Sequence, residues 1–234
     1  MQKTEKCEDG HIMVNFERNE IYFNAGINED SMTKLIEYLL TMENNINKKV
    51  KSLKRKFADI TKDLDKDIDL IKDNKLDNKL DNNKDKIIVD NSTNFKISIE
   101  SRPIKLYITS PGGSIHQVFS AIDTINSMTT PIHTICKGMV ASAGTLLSLS
   151  GTIKSITENS YMLIHELRSG AWGKYSFLKD NYDNCTQLME HLKNYYIKKT
   201  KITREELDIQ LTKDQYWNAE TCLAKGLVDN IICK

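Results

Sequence analysis

At 234 residues the chain is long enough to bury one good core, and a single domain over 1–234 interrupted by one insertion is its simplest organisation. A net charge of +1 supplies no whole-protein field for nucleic acid or an anionic membrane, so neither is expected as a partner. The five scattered cysteines form no C-x-x-C pair, which argues for reduced thiols in a cytoplasmic setting and against a disulfide framework or a zinc cluster. The polar start Met1-Gln2-Lys3-Thr4-Glu5-Lys6 lacks the apolar centre of a secretory signal. No apolar run approaches the roughly eighteen residues that span a bilayer.

In chain order, His11–Phe16 and Glu20–Phe23 are apolar, partly alternating pieces that suit short strands. Asp30-Ser31-Met32 offers a helix cap ahead of Leu35, Ile36, Leu39 and Leu40, one apolar helical face. Residues 47–96 then change character and read as a charged, partly helical or disordered insertion rich in Lys, Asp and Asn. Within it Val50, Leu53, Phe57, Ile60, Leu64, Ile68 and Ile71 step by three or four residues, a heptad-like stripe. Its near-repeat 75–82 is polar, and order returns at Ile87-Ile88-Val89.

Ile104–Thr109 is the next strand, and it enters the tight turn Ser110-Pro111-Gly112-Gly113-Ser114. A helix carrying Val118, Phe119, Ile122 and Ile125 follows, then the buried strand Pro131–Cys136. Next comes the turn Lys137–Ser142 and a small-residue helix, Ala143–Leu149, closed by Gly151. Strands are expected at Thr152–Ile156 and Tyr161–Ile164, the latter ending at His165. Glycines 170 and 173 link to a long helix from about 174 to 200 with the stripe Leu178, Cys185, Leu188, Leu192 and Tyr195. The tail gives a turn, a short helix at Ala219–Ala224 and a last strand, Leu227–Ile232. Strands alternating with helices imply a parallel sheet with crossover helices, an α/β fold.

Ser142 lies at a strand-to-helix turn flanked by Ala and Gly, the setting of a nucleophile elbow although the sequence is not G-x-S-x-G. The competing reading is a serine that merely caps a core helix. A serine nucleophile needs a base. Of five histidines, His11, His133 and His191 have bland explanations, His116 starts a helix, and His165 stands at a strand end, where open α/β sheets place ligands. Asp214 and Asp229 are both open as the carboxylate that orients it. Gly113 and Ala143 are candidate backbone oxyanion donors, one from each glycine-flanked turn. No phosphate loop or metal-ligand spacing is present, so no metal and no cofactor is implied.

Four motifs occur in an order that resembles the ClpP family, the proteolytic subunits of ATP-dependent Clp proteases. They are Leu106–Ser114, Gly138–Gly144, Met162–His165, and Lys213-Asp214 with Asn218-Ala219-Glu220 through Gly226–Asp229. The resemblance runs over about 18–46 and 97–232. It implies a ClpP/crotonase-like spiral of βαβ units with a long projecting handle helix. It also implies a serine endopeptidase that hydrolyses unfolded polypeptide through an acyl-enzyme. Ser142 would be the nucleophile, His165 the base and Asp214, rather than Asp229, its orienting acid. Gly113 and Ala143 would hold the oxyanion, and substrate would lie along Gly112-Gly113. Family members form homo-oligomeric rings of seven that stack in pairs, and ATP is consumed by a partner AAA+ unfoldase rather than by this chain.

The sequence departs from the pattern at Ala143 (usually Met), at Glu166-Leu167 (usually Gln-Pro) and in the short handle strand Arg168–Gly173. A non-catalytic ring subunit that assembles with active paralogues is the alternative. A Ser–Lys peptidase using Lys137 or Lys154, and an acyl-CoA enzyme of the crotonase type, are remoter ones.

Overall fold

In the computed structural model the described residues are 5–6, 11–64, 86–90, 96–100 and 102–233, with side chains described for 11–56 and 102–233. The polar near-repeat and the last part of the heptad-like stripe (Ile68 and Ile71) lie outside them, as do the side chains of Phe57, Ile60 and Leu64.

The chain opens with β1 (Glu5–Lys6), β2 (Ile12–Asn15) and β3 (Glu20–Asn24), joined as an antiparallel meander. Helix α1 (Glu29–Leu64) follows. Its cap is Asn28 rather than Asp30 or Ser31: the Asn28 side chain accepts from the Ser31 N–H at 2.9 Å, and the Ser31 hydroxyl accepts from the Asn28 N–H at 3.1 Å. That reciprocal pair satisfies two backbone donors at the helix start. The buried face is Met32, Leu35, Leu39, Met42 and Ile46, a spacing of three, four, three and four. Leu40, expected on that face, is exposed, because adjacent positions on a helix point about 100° apart. Full burial ends at Ile46, and the same helix carries the chain out of the core into the charged stretch. There β4 (Lys86–Asp90) and β5 (Lys96–Glu100) form an antiparallel pair of their own.

The core resumes at β6 (Ile104–Ser110), whose strict alternation of buried and half-buried residues marks a strand covered by helix on one face. Helix α2 (Ile115–Ser127) buries Ile115, Val118, Ala121, Ile122 and Ile125 and is capped by Ser114. Strand β7 (Ile132–Ala141) runs five residues past the expected end at Cys136, since the stretch read as a turn is strand up to Ala141. Gly138 bends it with φ 70°, a conformation open to glycine at little cost. The bend lets β7 serve two neighbours. Its first half pairs in parallel with β8 (Ile153–Thr157), and its second half pairs in parallel with β9 (Tyr161–Leu163). Between β7 and β8 sits α3 (Ala143–Ser148), buried along its whole length.

Helix α4 (Tyr175–Lys199) has 25 residues, about 37 Å at the usual rise. Only Leu192 and Tyr196 on it are fully buried, so the apolar stripe seats the helix at its C-terminal half alone. Leu178 is exposed and Cys185 half-buried, and near the helix start Trp172 is 96% exposed. The handle-like projection is therefore real, but its free half presents aromatics rather than a covered stripe.

Helix α5 (Arg204–Leu211), which the periodicity does not announce, follows with a full capping box between Thr203 and Glu206. Then come β10 (Tyr216–Asn218), antiparallel to β9, the short helix α6 (Ala219–Ala224) and β11 (Asn230–Ile232), parallel to β8. The last strand starts three residues later than expected. The nine-stranded sheet runs β1-β2-β3-β6-β7-β8-β11, with β9 and β10 branching from the far half of β7. From β3 to β11 that path is parallel, an α/β architecture with crossover helices. Among the described residues no helix is long and apolar enough to cross a membrane.

Candidate active site

Ser142 joins β7 to α3 with φ 54° and ψ −128°, outside the regions that non-glycine residues ordinarily occupy. Its side chain makes no capping bond to the helix, which removes the bland reading of a simple N-cap. The elbow is held from several sides. The Ser142 N–H donates to the Leu163 carbonyl at 2.8 Å, an extension of the β7–β9 ladder. The Ser142 carbonyl accepts from the Thr145 hydroxyl at 2.7 Å, and Thr145 is in turn hydrogen-bonded to the buried Tyr196 of α4. One end of the long helix thus braces the strained turn, a contact that periodicity in the sequence gave no means of finding.

Strand pairing explains how three distant side chains meet. Ala141 is in register with Leu163, so Ser142 and His165 leave two parallel neighbours at the same sheet end. Strand β10 runs antiparallel to β9 with Tyr216 opposite Leu163. Continuing that register by two residues sets Asp214 opposite His165. The Glu166 N–H donates to the Leu211 carbonyl at 2.9 Å and ties the two loops together beyond the strands. The outcome is His165 Nδ1 3.8 Å from Asp214 Oδ1. Charged or not, that is longer than a hydrogen bond. The other carboxylate oxygen, Oδ2, accepts from Arg168 Nη2 at 2.9 Å.

Ser142 and His165 line one cleft of about 270 Å³, with Gly113, Ala143, Leu146, Leu192 and Tyr196 among its walls. Asp214 lies in an adjoining cleft that shares His165, Arg168 and Pro111 with the first. His165 is the wall between the two. Burial first, and then the Arg168 guanidinium, hold its pKa below the ordinary 6.5, against the opposing pull of Asp214 and Glu166. The ring is therefore kept neutral and available as a base to lower pH than a free imidazole. A larger cleft of about 610 Å³ shares Pro111 but none of Ser142, His165 or Asp214.

The glycine turn abuts the elbow. A Cβ on Gly112 would lie 2.6 Å from Ser142 Cβ and 3.0 Å from the Ala143 nitrogen, and one on Gly113 would lie 2.1 Å from the Ile27 carbonyl oxygen. Ile27 bridges Gly113 by donating to the Gly112 carbonyl and accepting from the Ser114 N–H, both at 2.8 Å. In that parallel pattern the N–H and carbonyl of Gly113 itself face away from Ile27. Ala143 opens α3, so its N–H has no intrahelical acceptor.

The other candidates separate cleanly. Asp229 accepts from the Lys154 N–H at 2.8 Å and pairs with its ammonium at 3.2 Å, locking β11 to β8. That also occupies Lys154, one of the two lysines considered as a base. His133 is half-buried and hydrogen-bonded to Ser155 at 2.7 Å, a satisfied core histidine. His191 packs edge-on against Phe119 at 4.5 Å, and His11 and His116 are exposed. In the sequence Arg168 stands out only as part of a shortened strand, and nothing in its spacing points to Asp214. Among the described residues no three His, Cys, Asp or Glu side chains converge as a metal set.

Comparisons with known proteins bear on the same architecture. The profile of the family described as Clp protease matches residues 54–234, starting inside α1 rather than at the first strands. The ATP-dependent Clp protease proteolytic subunit 2 of Synechococcus sp. (strain CC9605) is 30% identical over 135 residues, 57% of this chain and 68% of that relative. With an α/β sheet of this kind, an elbow serine and a histidine one strand away, the chain belongs to the Clp protease family.

Proposed function

We propose that this chain is the serine endopeptidase subunit of a Clp-type protease, with Ser142 as nucleophile, His165 as general base and Asp214 as its orienting carboxylate. The observation that carries the reading is the strained Ser142 at a strand end shared with His165, with Asp214 in register across from it. Nδ1 of His165 faces Asp214, which leaves Nε2 to take the serine proton. Oγ then attacks the scissile carbonyl carbon, and the N–H groups of Gly113 and Ala143 stabilise the oxyanion. As the C–N bond breaks, the imidazolium returns its proton to the leaving amine. Water, deprotonated by the same ring, releases the acyl group. No step calls for a metal or a cofactor. The outward carbonyl of Gly113, whose N–H is committed to the oxyanion, offers an extended polypeptide a main-chain acceptor, so unfolded chain is the fitting substrate.

Family membership further suggests a homo-oligomeric ring, seven subunits in one or two layers, fed by a separate AAA+ unfoldase that uses the ATP, in a cytoplasmic compartment. The insertion over 47–96 belongs to the same single domain in this reading.

A fluorophosphonate probe should label Ser142, and Ser142→Ala should abolish both labelling and cleavage of a short peptide, a loss of roughly six decades. Labelling that persists in the variant would assign the reaction to another serine. One observation favours the second reading, a non-catalytic ring subunit: the Asp214 carboxylate is bonded to Arg168 and not to His165. Purified protein that neither labels nor cleaves, yet assembles with an active paralogue, would establish that reading instead.

A further inference from the structure

Arg168 stands three residues beyond His165 on the same loop and lines both clefts that His165 divides. Among the described residues, its hydrogen-bond and ion-pair partner is Asp214. The carboxylate is thus shared unequally, with Oδ2 2.9 Å from the guanidinium and Oδ1 3.8 Å from the imidazole. We propose that Arg168 is a positioning residue that governs whether Asp214 serves His165, holding the carboxylate off Nδ1 until the guanidinium is drawn elsewhere. The proposal rests on the serine-peptidase reading of the same site.

Both partners of the pair are well exposed, at 72% and 61% of the side chain, and an ion pair between such groups is weak. The competition for the carboxylate is correspondingly close to balance, so a small change decides it. A carboxylate on the substrate, from an acidic side chain or a free C-terminus lying in the shared cleft, is the chemistry that would draw the guanidinium away.

The charged and titratable groups that face His165 are few. Glu166 and Arg168 lie on its own loop, Asp214 and Tyr216 come from the β10 side, and Ser142 and Tyr196 lie across the first cleft. Of these, Arg168 is the cation. When His165 takes the serine proton it becomes an imidazolium, which Arg168 disfavours twice, by direct repulsion and by occupying the carboxylate that would stabilise it. The lowered pKa of His165 accords with this, burial being the larger cause and Arg168 the next.

The test is the pH dependence of kcat/KM on a short fluorogenic peptide for the full chain and for Arg168→Gln and Arg168→Lys. In the wild type the acid limb is expected below the ordinary imidazole value of 6.5, since burial and Arg168 both lower the His165 pKa. Arg168→Gln should move that limb up by about half a pH unit and raise the plateau roughly two- to fivefold. Arg168→Lys, which keeps the charge, should stay near wild type. In an Asp214→Asn background the Gln substitution should lose most of its effect, since the two act through one contact. An unmoved limb with cleavage intact overturns the inference alone. So does a lowered plateau, which would make Arg168 a support for the productive carboxylate. Absence of fluorophosphonate labelling and cleavage in wild type and variants alike would overturn the peptidase reading, and this inference with it.

Discussion

Asp214 and Asp229 stand in nearly identical local settings, each just ahead of a three-residue strand near the C-terminus. Their fates differ because the two strands run in opposite senses. β11 is parallel to β8, so its first residues lie beside the start of β8, at Lys154, the sheet end remote from the elbow. β10 is antiparallel to β9, so the residues leading into it lie beside the end of β9, where His165 is. Strand direction, not residue type, separates a tie that fastens two strands from a group within reach of a base.

The sharpest way to break that contrast is to neutralise each carboxylate in turn. Asp214→Asn should lower kcat on a short peptide by roughly 10³- to 10⁴-fold, by leaving the imidazolium unsupported. Asp229→Asn should leave kcat within about twofold, because the site does not touch it, and cost at most about 1 kcal/mol in chemical denaturation. Comparable losses of kcat in both variants would defeat the directional account.

A second substitution sharpens the contrast on the elbow side. Gly112→Ala puts a methyl 2.6 Å from Ser142 Cβ at a φ of +92°, and it should destabilise by roughly 2–4 kcal/mol while abolishing probe labelling. A variant that folds and labels normally would show that the two turns do not need their close approach. The smallest effect is expected at Tyr196→Phe. Thr145 keeps its bond to the Ser142 carbonyl, so the loss should be about 1 kcal/mol, read as a modest fall in Tm with kcat reduced only slightly.

Much of the parallel half of the fold was legible from residues alone. β-Branched runs broken by Pro111 and the paired glycines gave the order strand, turn, helix, strand, elbow, helix. Ser142 and His165 both stand at element ends, which is visible locally. What could not be read is anything that depends on pairing. The length of β7 was missed because Lys137-Gly138-Met139 carries turn-like residues, and only its second partner, β9, keeps that half extended. The choice of Asp214 came from likeness to a family, since the antiparallel sense of β10 has no signature in three residues. Helix α5 carries its signal in its cap rather than in periodicity: Thr203-Arg204-Glu205-Glu206 is a capping-box sequence. On α4, a periodic stripe says which face is apolar, but not how far along its length the core extends to meet it.

The backbone at residue 142 has a consequence for the thermodynamics of the whole chain. An L-amino acid held at φ 54° and ψ −128° costs roughly 1–3 kcal/mol, and glycine would relax there without moving its neighbours. Ser142→Gly is accordingly expected to raise Tm, a gain offset in part by the extra freedom that glycine gives the unfolded chain. Under the proposed function, heat tolerance and chemical competence are set against each other at a single pair of torsion angles.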